Sequence, residues 1–364
     1  MIRNREEDMK SIRFAIWILG LLSLFICSCG GGGGSSSNGD TSGTQDLEVI
    51  SPEEAGWSST ALAAVEGIIV DSGYAAVMAL YDGKIFFQWG DVTKNYQCHS
   101  IRKPFLSALY GIYVHRGSID LDTTLETLEI DDVPPSLTDD EKQATVRHLL
   151  KSRSGVYHEA AAELPEMAAI RPERGSHLPD TFFYYNNWDF NVAGTIFRRE
   201  THEDIFQTFK REIADVVGMQ DFSTDNCRYE YEWDKSEHPA YAFRMSARDM
   251  ARFGVLYQKN GAWDGKQIIP VNWVLESTTP YSTLDASGGI GYGYMWYVAP
   301  EASDAAKLLG YDYFYHTGHG VHALVIVPDL NLVIVERYDT DVQGWEDPGD
   351  VGFQIGQMII EAKL

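Results

Sequence analysis

The segment 58–72 carries apolar side chains three or four positions apart, which is the spacing of one helical face. These positions are Leu62, Val65, Ile68 and Ile69. A Ser/Thr-rich stretch stands in front of them, and hydroxyl side chains are preferred at the N-cap of a helix. The pattern therefore predicts an amphipathic helix over residues 58–72.

Two apolar runs follow at residues 74–81 and 84–89, and only Asp82 and Gly83 separate them. An Asp-Gly pair between two apolar runs is a strong signal for a two-residue hairpin turn, because both turn positions need a positive φ. A helix followed by a β-hairpin thus opens the folded part of the chain.

The C-terminal end mirrors this beginning. Residues 322–327 and 332–337 predict two strands around a loop at 328–331, and residues 351–362 have a helical pattern. We therefore expect both ends of the chain to build one sheet that is faced by helices.

The interior between about residues 100 and 280 is predicted to be mostly helical, with the clearest helices over 246–260 and 271–278. Loops rich in Asp, Pro and Gly, such as 131–140, separate these segments. The simplest architecture is an α/β fold in which an antiparallel sheet is flanked by helices and carries an inserted, mostly helical domain.

The composition is that of a folded acidic protein. Hydrophobic residues make up 44% and charged residues 23% of the 364 residues, so the chain has enough apolar surface for a substantial core. The formal net charge is −24. This charge opposes binding to a phosphate backbone, and nucleic acid is not an expected partner.

Residues 1–28 have the three parts of a secretory signal peptide. Basic residues up to Arg13 precede an apolar run at 14–26, and small residues follow up to Cys29. The apolar run is shorter than the roughly 20 residues of a membrane span. Residues 26–30 resemble the lipobox of bacterial lipoproteins, which implies cleavage before Cys29 and lipidation of its thiol. A plain signal peptide with an incidental cysteine is the alternative.

Residues 29–50 form a Gly/Ser-rich linker, which cannot pack a core and acts as a flexible tether. We expect an exported protein that is lipid-anchored to a bacterial membrane, on the periplasmic side or at the cell surface. Export permits a disulfide between Cys98 and Cys227, the thiols left in the mature body. Two free thiols are the alternative.

The first candidate for chemistry is a Ser-Ile-Arg-Lys-Pro sequence at 100–104. Proline lacks an amide hydrogen and is tolerated in the first turn of a helix, so Pro104 places a helix start close to Ser100. At this spacing the hydroxyl of Ser100 and the amine of Lys103 share a helix face, where an unprotonated lysine can accept the proton of the serine. Arg102 is expected to be exposed.

A second candidate lies in the aromatic run 182–188. This run contains a Tyr-x-Asn sequence in two registers, Tyr184 with Asn186 or Tyr185 with Asn187. A phenol can relay a proton, and an amide can orient a substrate carbonyl. An aromatic core segment is the alternative explanation of the run taken by itself.

A third candidate is the His-Thr-Gly sequence at 316–318, just before a predicted strand. Small residues at a strand edge let a substrate approach backbone hydrogen-bond donors. His316, His319 and His322 also allow a metal site as an alternative. Alternation along a strand points the middle histidine away from the other two, so no metal is expected.

In this order, the three motifs resemble those of the penicillin-recognising serine hydrolases. The similarity is to the class C β-lactamase-like group, with its D,D-carboxypeptidases, esterases and 6-aminohexanoate-dimer hydrolases. Connecting segments at 146–155, 246–254, 261–270 and 291–296 look like this group as well. The resemblance implies a β-lactamase/transpeptidase-like fold with its site in a cleft.

The resemblance implies roles for the matching residues. The nucleophile, its base and a proton shuttle are, in this order, Ser100, Lys103 and Tyr185. The register with Asn187 is preferred because Phe190 and Gly194 then match the positions that follow the motif in the group. Asn186 departs from the group, in which a small residue such as serine is more usual at this position.

The group also suggests that the backbone N–H groups of Ser100 and His319 form an oxyanion hole, with Asn187, His316 and Gly318 at the substrate. His316 stands where most β-lactamases carry lysine, and a histidine of ordinary pKa is mostly neutral at pH 7. We therefore expect an acyl-enzyme hydrolase of esters, amides or D-peptides, without a cofactor, rather than an efficient β-lactamase. A weak β-lactamase and a non-catalytic binding lipoprotein on the same fold are the alternatives.

The predicted domains follow from these segments. They are a signal peptide (1–28), a linker (29–50) and a hydrolase domain (51–364), with an α/β part at 51–99 and 281–364 and a mostly helical part at 100–280. The expected partners are a small-molecule ester, amide or peptide and, through the lipid anchor, the membrane.

Overall fold

The computed structural model describes residues 46–284, 288–342 and 351–364. The predicted signal peptide, Cys29 and all but the last residues of the predicted linker lie outside these ranges, so the lipid anchor stays a prediction. In the described part of the chain, no helix is both long and apolar enough to cross a membrane.

An antiparallel sheet forms the centre of the fold. The strands of the described residues are β1 (Tyr74–Tyr81), β2 (Lys84–Gly90), β3 (Tyr96–Gln97), β4 (Arg228–Glu232), β5 (Ser236–Ala242), β6 (Arg244–Met245), β7 (Ala262–Trp263), β8 (Lys266–Gln267), β9 (Ser282–Thr283), β10 (Gly291–Tyr292), β11 (Tyr297–Ala299), β12 (Tyr313–Gly318), β13 (His322–Val327) and β14 (Leu332–Tyr338). Among the described strands, eight form one sheet in the order β2-β1-β14-β13-β12-β11-β10-β9. The other strands pair as β3 with β6, β4 with β5, and β7 with β8.

The hairpin at the start of the sheet has the predicted turn. Asp82 and Gly83 join β1 to β2 with φ angles of 47° and 80°, as a two-residue turn of this kind requires. On its other side β1 pairs with β14, and Leu80 lies opposite Val333. Both ends of the chain therefore build one sheet, which confirms the α/β fold class predicted from the sequence.

Helices surround this sheet. The α-helices of the described residues are α1 (Pro52–Ala55), α2 (Ser59–Asp71), α3 (Arg102–His115), α4 (Val146–Leu150), α5 (Pro165–Ala169), α6 (Asn187–Thr201), α7 (Ile205–Phe209), α8 (Ala247–Gln258), α9 (Val271–Ser277), α10 (Asp304–Leu309) and α11 (Val351–Glu361). Short 3-10 helices lie at His99–Ile101, Glu141–Gln143, Thr224–Asn226 and Pro328–Leu330, and a π-helix lies at Lys210–Ala214. The four helices predicted near both chain ends and after residue 246 are found as α2, α8, α9 and α11. Ser58 and Ser246 are the N-caps of α2 and α8.

Helices cover both faces of the large sheet. A Cβ added to Gly254 of α8 would lie 2.5 Å from Val333 and 3.0 Å from Leu324, so α8 packs tightly on the face of these two residues. A Cβ added to Gly356 of α11 would lie 3.4 Å from Glu336. Because neighbouring residues of a strand point to opposite sides, α11 lies on the other face. Helix α8 belongs to the region 100–280 that was predicted as mostly helical, and it packs on the large sheet built by the chain ends.

A buried carboxyl group lies on that second face. Glu336 of β14 is 1% exposed and accepts a hydrogen bond from the hydroxyl of Tyr74 at 2.9 Å. Burial raises the pKa of Glu336 to about 8, and hydrogen bonds from Tyr74 and the backbone of Gly356 offset part of this rise. The folded protein therefore keeps this carboxyl group protonated at pH values where the unfolded chain has released the proton.

We expect Glu336→Gln to change how stability depends on pH. Between the unfolded pKa of 4.5 and the folded pKa of about 8, the folded state holds one more proton at this site, so rising pH lowers the free energy of unfolding. The slope is up to about 1.4 kcal/mol per pH unit. Glutamine keeps the acceptor for Tyr74 and removes this slope. In urea denaturation from pH 5 to pH 8, the free energy of unfolding of the variant should increase relative to that of the unmodified protein as pH rises. A difference that stays constant with pH would contradict the burial of an ionisable Glu336.

Candidate active site

The candidate nucleophile lies directly before a buried helix. Ser100 belongs to the 3-10 turn His99–Ile101, and α3 follows at Arg102. Pro104 lies in the first turn of α3, where backbone N–H groups have no acceptor within the helix, so the helix tolerates a residue without one. His99 has a left-handed φ of 46°, which is uncommon for a residue with a side chain. The chain therefore turns sharply just before Ser100.

Lys103 brings two of the predicted motifs together. Its Nζ lies 3.0 Å from Oγ of Ser100, 2.5 Å from Oη of Tyr185 and 3.1 Å from Oδ1 of Asn187. Ser100 and Lys103 share a helix face, as their spacing predicts. Tyr185 and Asn187 approach from the start of α6.

Burial controls the protonation of Lys103. Its side chain is fully buried, and its Nζ lies 4.1 Å from the ring centre of Tyr185 and 4.5 Å from that of Phe190. Burial, and after it repulsion from Arg102, lower the pKa of Lys103 well below its usual value. The environment therefore favours the neutral amine, which is the form that can accept a proton.

The structure distinguishes the two tyrosine registers. Tyr185 contacts Lys103, whereas the hydroxyl of Tyr184 donates to the backbone carbonyl of Met167 at 2.8 Å. Burial raises the pKa of Tyr185, and hydrogen bonding with the hydroxyl of Ser100 partly offsets this rise. The phenol of Tyr185 therefore lies within reach of both the serine and the lysine.

Asn186, which departs from the family pattern, has a structural role that the sequence analysis missed. It is the N-cap of α6, and its Oδ1 accepts a hydrogen bond from the backbone N–H of Trp188 at 3.1 Å. Its Nδ2 donates to the backbone carbonyl of Val156 and to the carboxyl group of Asp189. These bonds fix the first turn of α6 and so the position of Asn187. An asparagine directly before a helical run is the signal that could have identified this cap.

His316 lies on β12 beside this cluster and is fully buried. Its Nδ1 lies 2.7 Å from the backbone carbonyl of Thr317, which can only accept, so Nδ1 carries the ring hydrogen. Nε2 is then a bare acceptor, and no described group bonds to it. Burial, and then the proximity of Lys103, lower the pKa of His316 well below its usual value. The third motif thus contributes a neutral imidazole, whose ring centre lies 6.4 Å from that of Tyr185.

Gly318, at the end of β12, lies against the segment that precedes the nucleophile. A Cβ at this position would lie 2.7 Å from the backbone carbonyl of Cys98 and 3.2 Å from Cβ of His99. Glycine is therefore required here for close packing, and this packing places β12 beside Ser100. Contact between Gly318 and a substrate stays a prediction, and the same holds for the N–H groups of Ser100 and His319.

The histidines around the nucleophile pack as rings. The ring centre of His99 lies 5.5 Å from that of His319 and 5.4 Å from that of His322, and its Nε2 lies 2.9 Å from Oγ1 of Thr340. Burial lowers the pKa of His99 to about 3. Within the residues that the structure describes, no cluster of three His, Cys, Asp or Glu side chains is arranged to hold a metal. The alternative of a histidine metal site therefore has no support in the described residues.

Three further side chains that the sequence analysis considered are described by the structure. Cys98 is buried and Cys227 half-buried, and both are free thiols in the structure. The expectation that Arg102 is exposed is wrong: only 7% of its surface is accessible. Its guanidinium stacks on the ring of Tyr241 at 4.2 Å, a contact with a distant part of the sequence.

Comparisons with known proteins agree with this fold. A family model described as Beta-lactamase matches residues 71–336. No curated protein matches the chain in sequence. Similar solved structures include a protein described as a 6-aminohexanoate-dimer hydrolase from Bacillus anthracis, with 19% identity, a TM-score of 0.64 and coverage of 82% of this chain and 81% of that one. D-alanine carboxypeptidase AmpC from Burkholderia cenocepacia shares 15% identity over 83% of this chain and 98% of that one, with a TM-score of 0.60. A penicillin binding protein from Bacillus halodurans shares 14% identity over 82% of this chain and 100% of that one, with a TM-score of 0.60.

Proposed function

Because this chain belongs to the beta-lactamase family, we propose that it is a serine hydrolase that forms an acyl-enzyme on an ester or amide substrate. The observation that carries the proposal is the position of Lys103 Nζ, which lies within 3.1 Å of Ser100 Oγ, Tyr185 Oη and Asn187 Oδ1. A buried lysine beside a serine hydroxyl, without a carboxylate partner among the described residues, is the arrangement that activates a nucleophile.

The hydrogen bonds of Lys103 fit the neutral amine. A neutral amine has two N–H donors and one lone pair. The oxygen of Asn187 accepts one N–H, and the oxygen of Tyr185 accepts the other. The lone pair then faces Ser100 Oγ, which lies 3.0 Å from Nζ. We infer that the serine hydroxyl donates to the neutral amine. In this arrangement Lys103 is ready to take the proton of the serine.

Acylation follows from this arrangement. Ser100 Oγ attacks the substrate carbonyl while its proton passes to Lys103, and the carbonyl oxygen becomes an oxyanion. We assign the backbone N–H groups of Ser100 and His319 to this oxyanion, where each donor contributes roughly 3 to 4 kcal/mol in the transition state. Tyr185 passes the proton from Lys103 to the departing alcohol or amine, and the carbonyl re-forms as an ester of Ser100.

Deacylation uses the same groups in the reverse direction. Water gives a proton to Lys103, directly or relayed through Tyr185, and attacks the acyl-serine, and Ser100 Oγ takes the proton back as the acid leaves. Asn187 holds the amine of Lys103 in place through both half-reactions by accepting its hydrogen bond at 3.1 Å.

The neutral His316 supports a preference among substrates. β-Lactams and many peptides carry a carboxylate, which a lysine in the third motif would attract. A buried imidazole with a lowered pKa offers a bare acceptor instead of a positive charge. We propose esters and amides, including D-peptides that place no free carboxylate at His316, as substrates rather than β-lactams. The names of the similar structures, a 6-aminohexanoate-dimer hydrolase and a D-alanine carboxypeptidase, agree with an amide-cleaving role.

We expect His316→Lys to shift this preference toward substrates that carry a carboxylate. The new ammonium can make a charge-assisted hydrogen bond, so kcat/KM for a β-lactam relative to a neutral p-nitrophenyl ester should rise by about tenfold. His316→Gln, which keeps the position neutral, is the matched control and should leave this ratio unchanged. An unchanged ratio in a folded His316→Lys protein would contradict the proposed role of His316.

A turnover assay tests the proposed function as a whole. The purified protein should release p-nitrophenol from p-nitrophenyl acetate, and a fluorophosphonate should stop this reaction while it adds one label per chain. An absence of both turnover and label would overturn the proposal and favour a binding protein on the same fold.

A further inference from the structure

A buried carboxyl group lies in the first turn of α6, two residues after Asn187. This group belongs to Asp189, which is fully buried. Its Oδ1 accepts the hydroxyl hydrogen of Ser154 at 2.5 Å and a hydrogen of the Asn186 amide at 2.9 Å, and its Oδ2 accepts the backbone N–H of Ser154 at 3.3 Å. Burial of a carboxyl group is costly unless hydrogen bonds satisfy its oxygens, and these three uncharged donors do so.

These bonds differ from the usual capping of a helix. In a capping box, a Glu or Gln at the third helical position accepts the backbone N–H of the N-cap residue. In α6 the third residue is Asp189, but the backbone N–H of the N-cap residue Asn186 donates to Oγ of Ser152 at 2.9 Å. The carboxyl group of Asp189 bonds instead to the side chain of the N-cap residue and to a second segment of the chain.

Asp189 thereby joins α6 to the segment 152–156. Oγ of Ser154, which donates to Asp189, accepts the backbone N–H of Val156 at 3.0 Å. The backbone carbonyl of Val156 accepts a hydrogen of the Asn186 amide at 2.6 Å. These four residues form a closed ring of hydrogen bonds, and removal of the carboxyl group opens this ring.

The ring is attached to two residues of the proposed site. Asn186 stands between Tyr185 and Asn187 in the chain, and the side-chain oxygens of these two neighbours lie 2.5 and 3.1 Å from Nζ of Lys103. Asn186 is buried, and both polar atoms of its amide are hydrogen-bonded, which restrains the backbone at this position. A displacement of Asn186 therefore moves both neighbouring side chains relative to the amine of Lys103.

We infer that Asp189 is a positioning residue for the proposed reaction. Its carboxyl group holds Asn186 and, with it, the side chains on either side that contact Lys103. The inference rests on the proposed function and adds a residue that touches neither the substrate nor the reacting atoms. A misplacement of catalytic groups by about 1 Å slows a reaction by up to about 10²-fold.

The test measures the rate of acylation by p-nitrophenyl acetate per active chain, and the final uptake of a fluorophosphonate label counts the active chains. Asp189→Ala removes the acceptor of all three bonds and should lower the rate per labelled chain by about 10²-fold. Asp189→Asn keeps an oxygen for the hydroxyl of Ser154 and the amide of Asn186, and it loses only the longest bond. It should therefore restore the rate to within about fivefold of that of the unmodified protein.

Ser154→Ala is the second variant in case Asp189→Ala does not fold. It removes the hydroxyl that makes the shortest bond to Asp189, and it leaves the carboxyl group and the amide of Asn186 in place. Because the ring is opened at one bond, the rate per labelled chain should fall by about tenfold.

Asp249 offers a matched control. It is also fully buried and is also the third residue of a helix, α8. Its carboxyl group accepts the backbone N–H groups of Gln220, Asp221 and Phe222 at 2.7 to 2.8 Å, in a segment outside the site. Asp249→Ala should reduce the fraction of chains that take up the label, because the protein is less stable, and should keep the rate per labelled chain within about threefold.

A double-mutant cycle with Asn187→Ala shows whether Asp189 acts through the site. The losses from two independent changes multiply, whereas the losses from two changes that act through one contact do not. In a protein that carries Asn187→Ala, the contact of this side chain with Lys103 is already lost. Asp189→Ala should then cost about tenfold or less.

The outcomes separate this inference from the proposed function. If the unmodified protein neither turns over the ester nor takes up the label, the proposed function fails. If it does both, and Asp189→Ala loses label but keeps its rate per labelled chain, Asp189 has a structural role only and the inference is overturned. An equal loss with and without Asn187→Ala, or an Asp189→Asn protein as slow as Asp189→Ala, also overturns it. A slower rate per labelled chain that Asp189→Asn restores, and that is smaller in the Asn187→Ala protein, supports it.

Discussion

Ser100→Ala should lower kcat for ester hydrolysis by at least about 10⁴-fold, the largest single effect expected in this protein. Ser100 Oγ is the atom that forms the acyl bond in the proposed reaction, and alanine leaves no hydroxyl at this position to attack the substrate carbonyl. The remaining groups can still bind and polarise a substrate, so a small residual rate above buffer is compatible with the account. Initial rates with p-nitrophenyl acetate over a range of enzyme concentrations measure the loss.

Ser107→Ala is the matched control for this substitution. Ser107 lies on the same helix, α3, and is fully buried, but it takes no part in the site. It should keep kcat within about threefold, since substitutions away from catalytic groups act mainly on stability. Turnover by Ser100→Ala equal to that of the control would remove Ser100 from the mechanism.

Lys103→Met should lower kcat/KM by about 10² to 10⁴-fold, the range that a general base contributes. Methionine has a similar length and fills the buried space, but it cannot accept the proton of Ser100. The loss should persist at high pH, because no titration restores a base at this position.

Lys151→Met provides a matched lysine control. Burial also lowers the pKa of Lys151, yet its Nζ lies 3.8 Å from Asp180 and 4.7 Å from the ring centre of Tyr281, away from Ser100. The control should keep kcat/KM within about threefold, in line with substitutions away from the chemistry. Thermal melts of both variants would show whether a loss of activity reflects a loss of folded protein. Near-full activity in a folded Lys103→Met protein would mean that another group is the base.

The parts of the fold that sequence could predict are those with local signals. Asp82 and Gly83 specify their turn because both positions need a positive φ, and Ser58 and Ser246 mark helix starts through their hydroxyl groups. The apolar runs near both chain ends predict that both ends contribute strands to one sheet, whereas the pairing of β1 with β14 is seen only in the fold. These features depend on residues that are close in sequence or on a pattern that repeats along one element.

The features that sequence could not predict depend on contacts between distant segments. Arg102 is buried because Tyr241 of β5 covers it, and no pattern around position 102 announces that contact. Gly318 is a glycine because the carbonyl of Cys98 occupies the space of a side chain. The motifs indicated which groups meet in the site, whereas the low pKa of Lys103 follows from burial that only the assembled fold provides.

Intact-mass spectrometry of the protein within the first turnovers of an activated p-nitrophenyl ester detects the proposed acyl-enzyme itself. We expect a burst of p-nitrophenol and a matching mass gain of one acyl group, which peptide mapping assigns to Ser100 and which is absent from Ser100→Ala. Turnover without any acyl adduct, or an adduct on another residue that persists in Ser100→Ala, would contradict acyl transfer to Ser100.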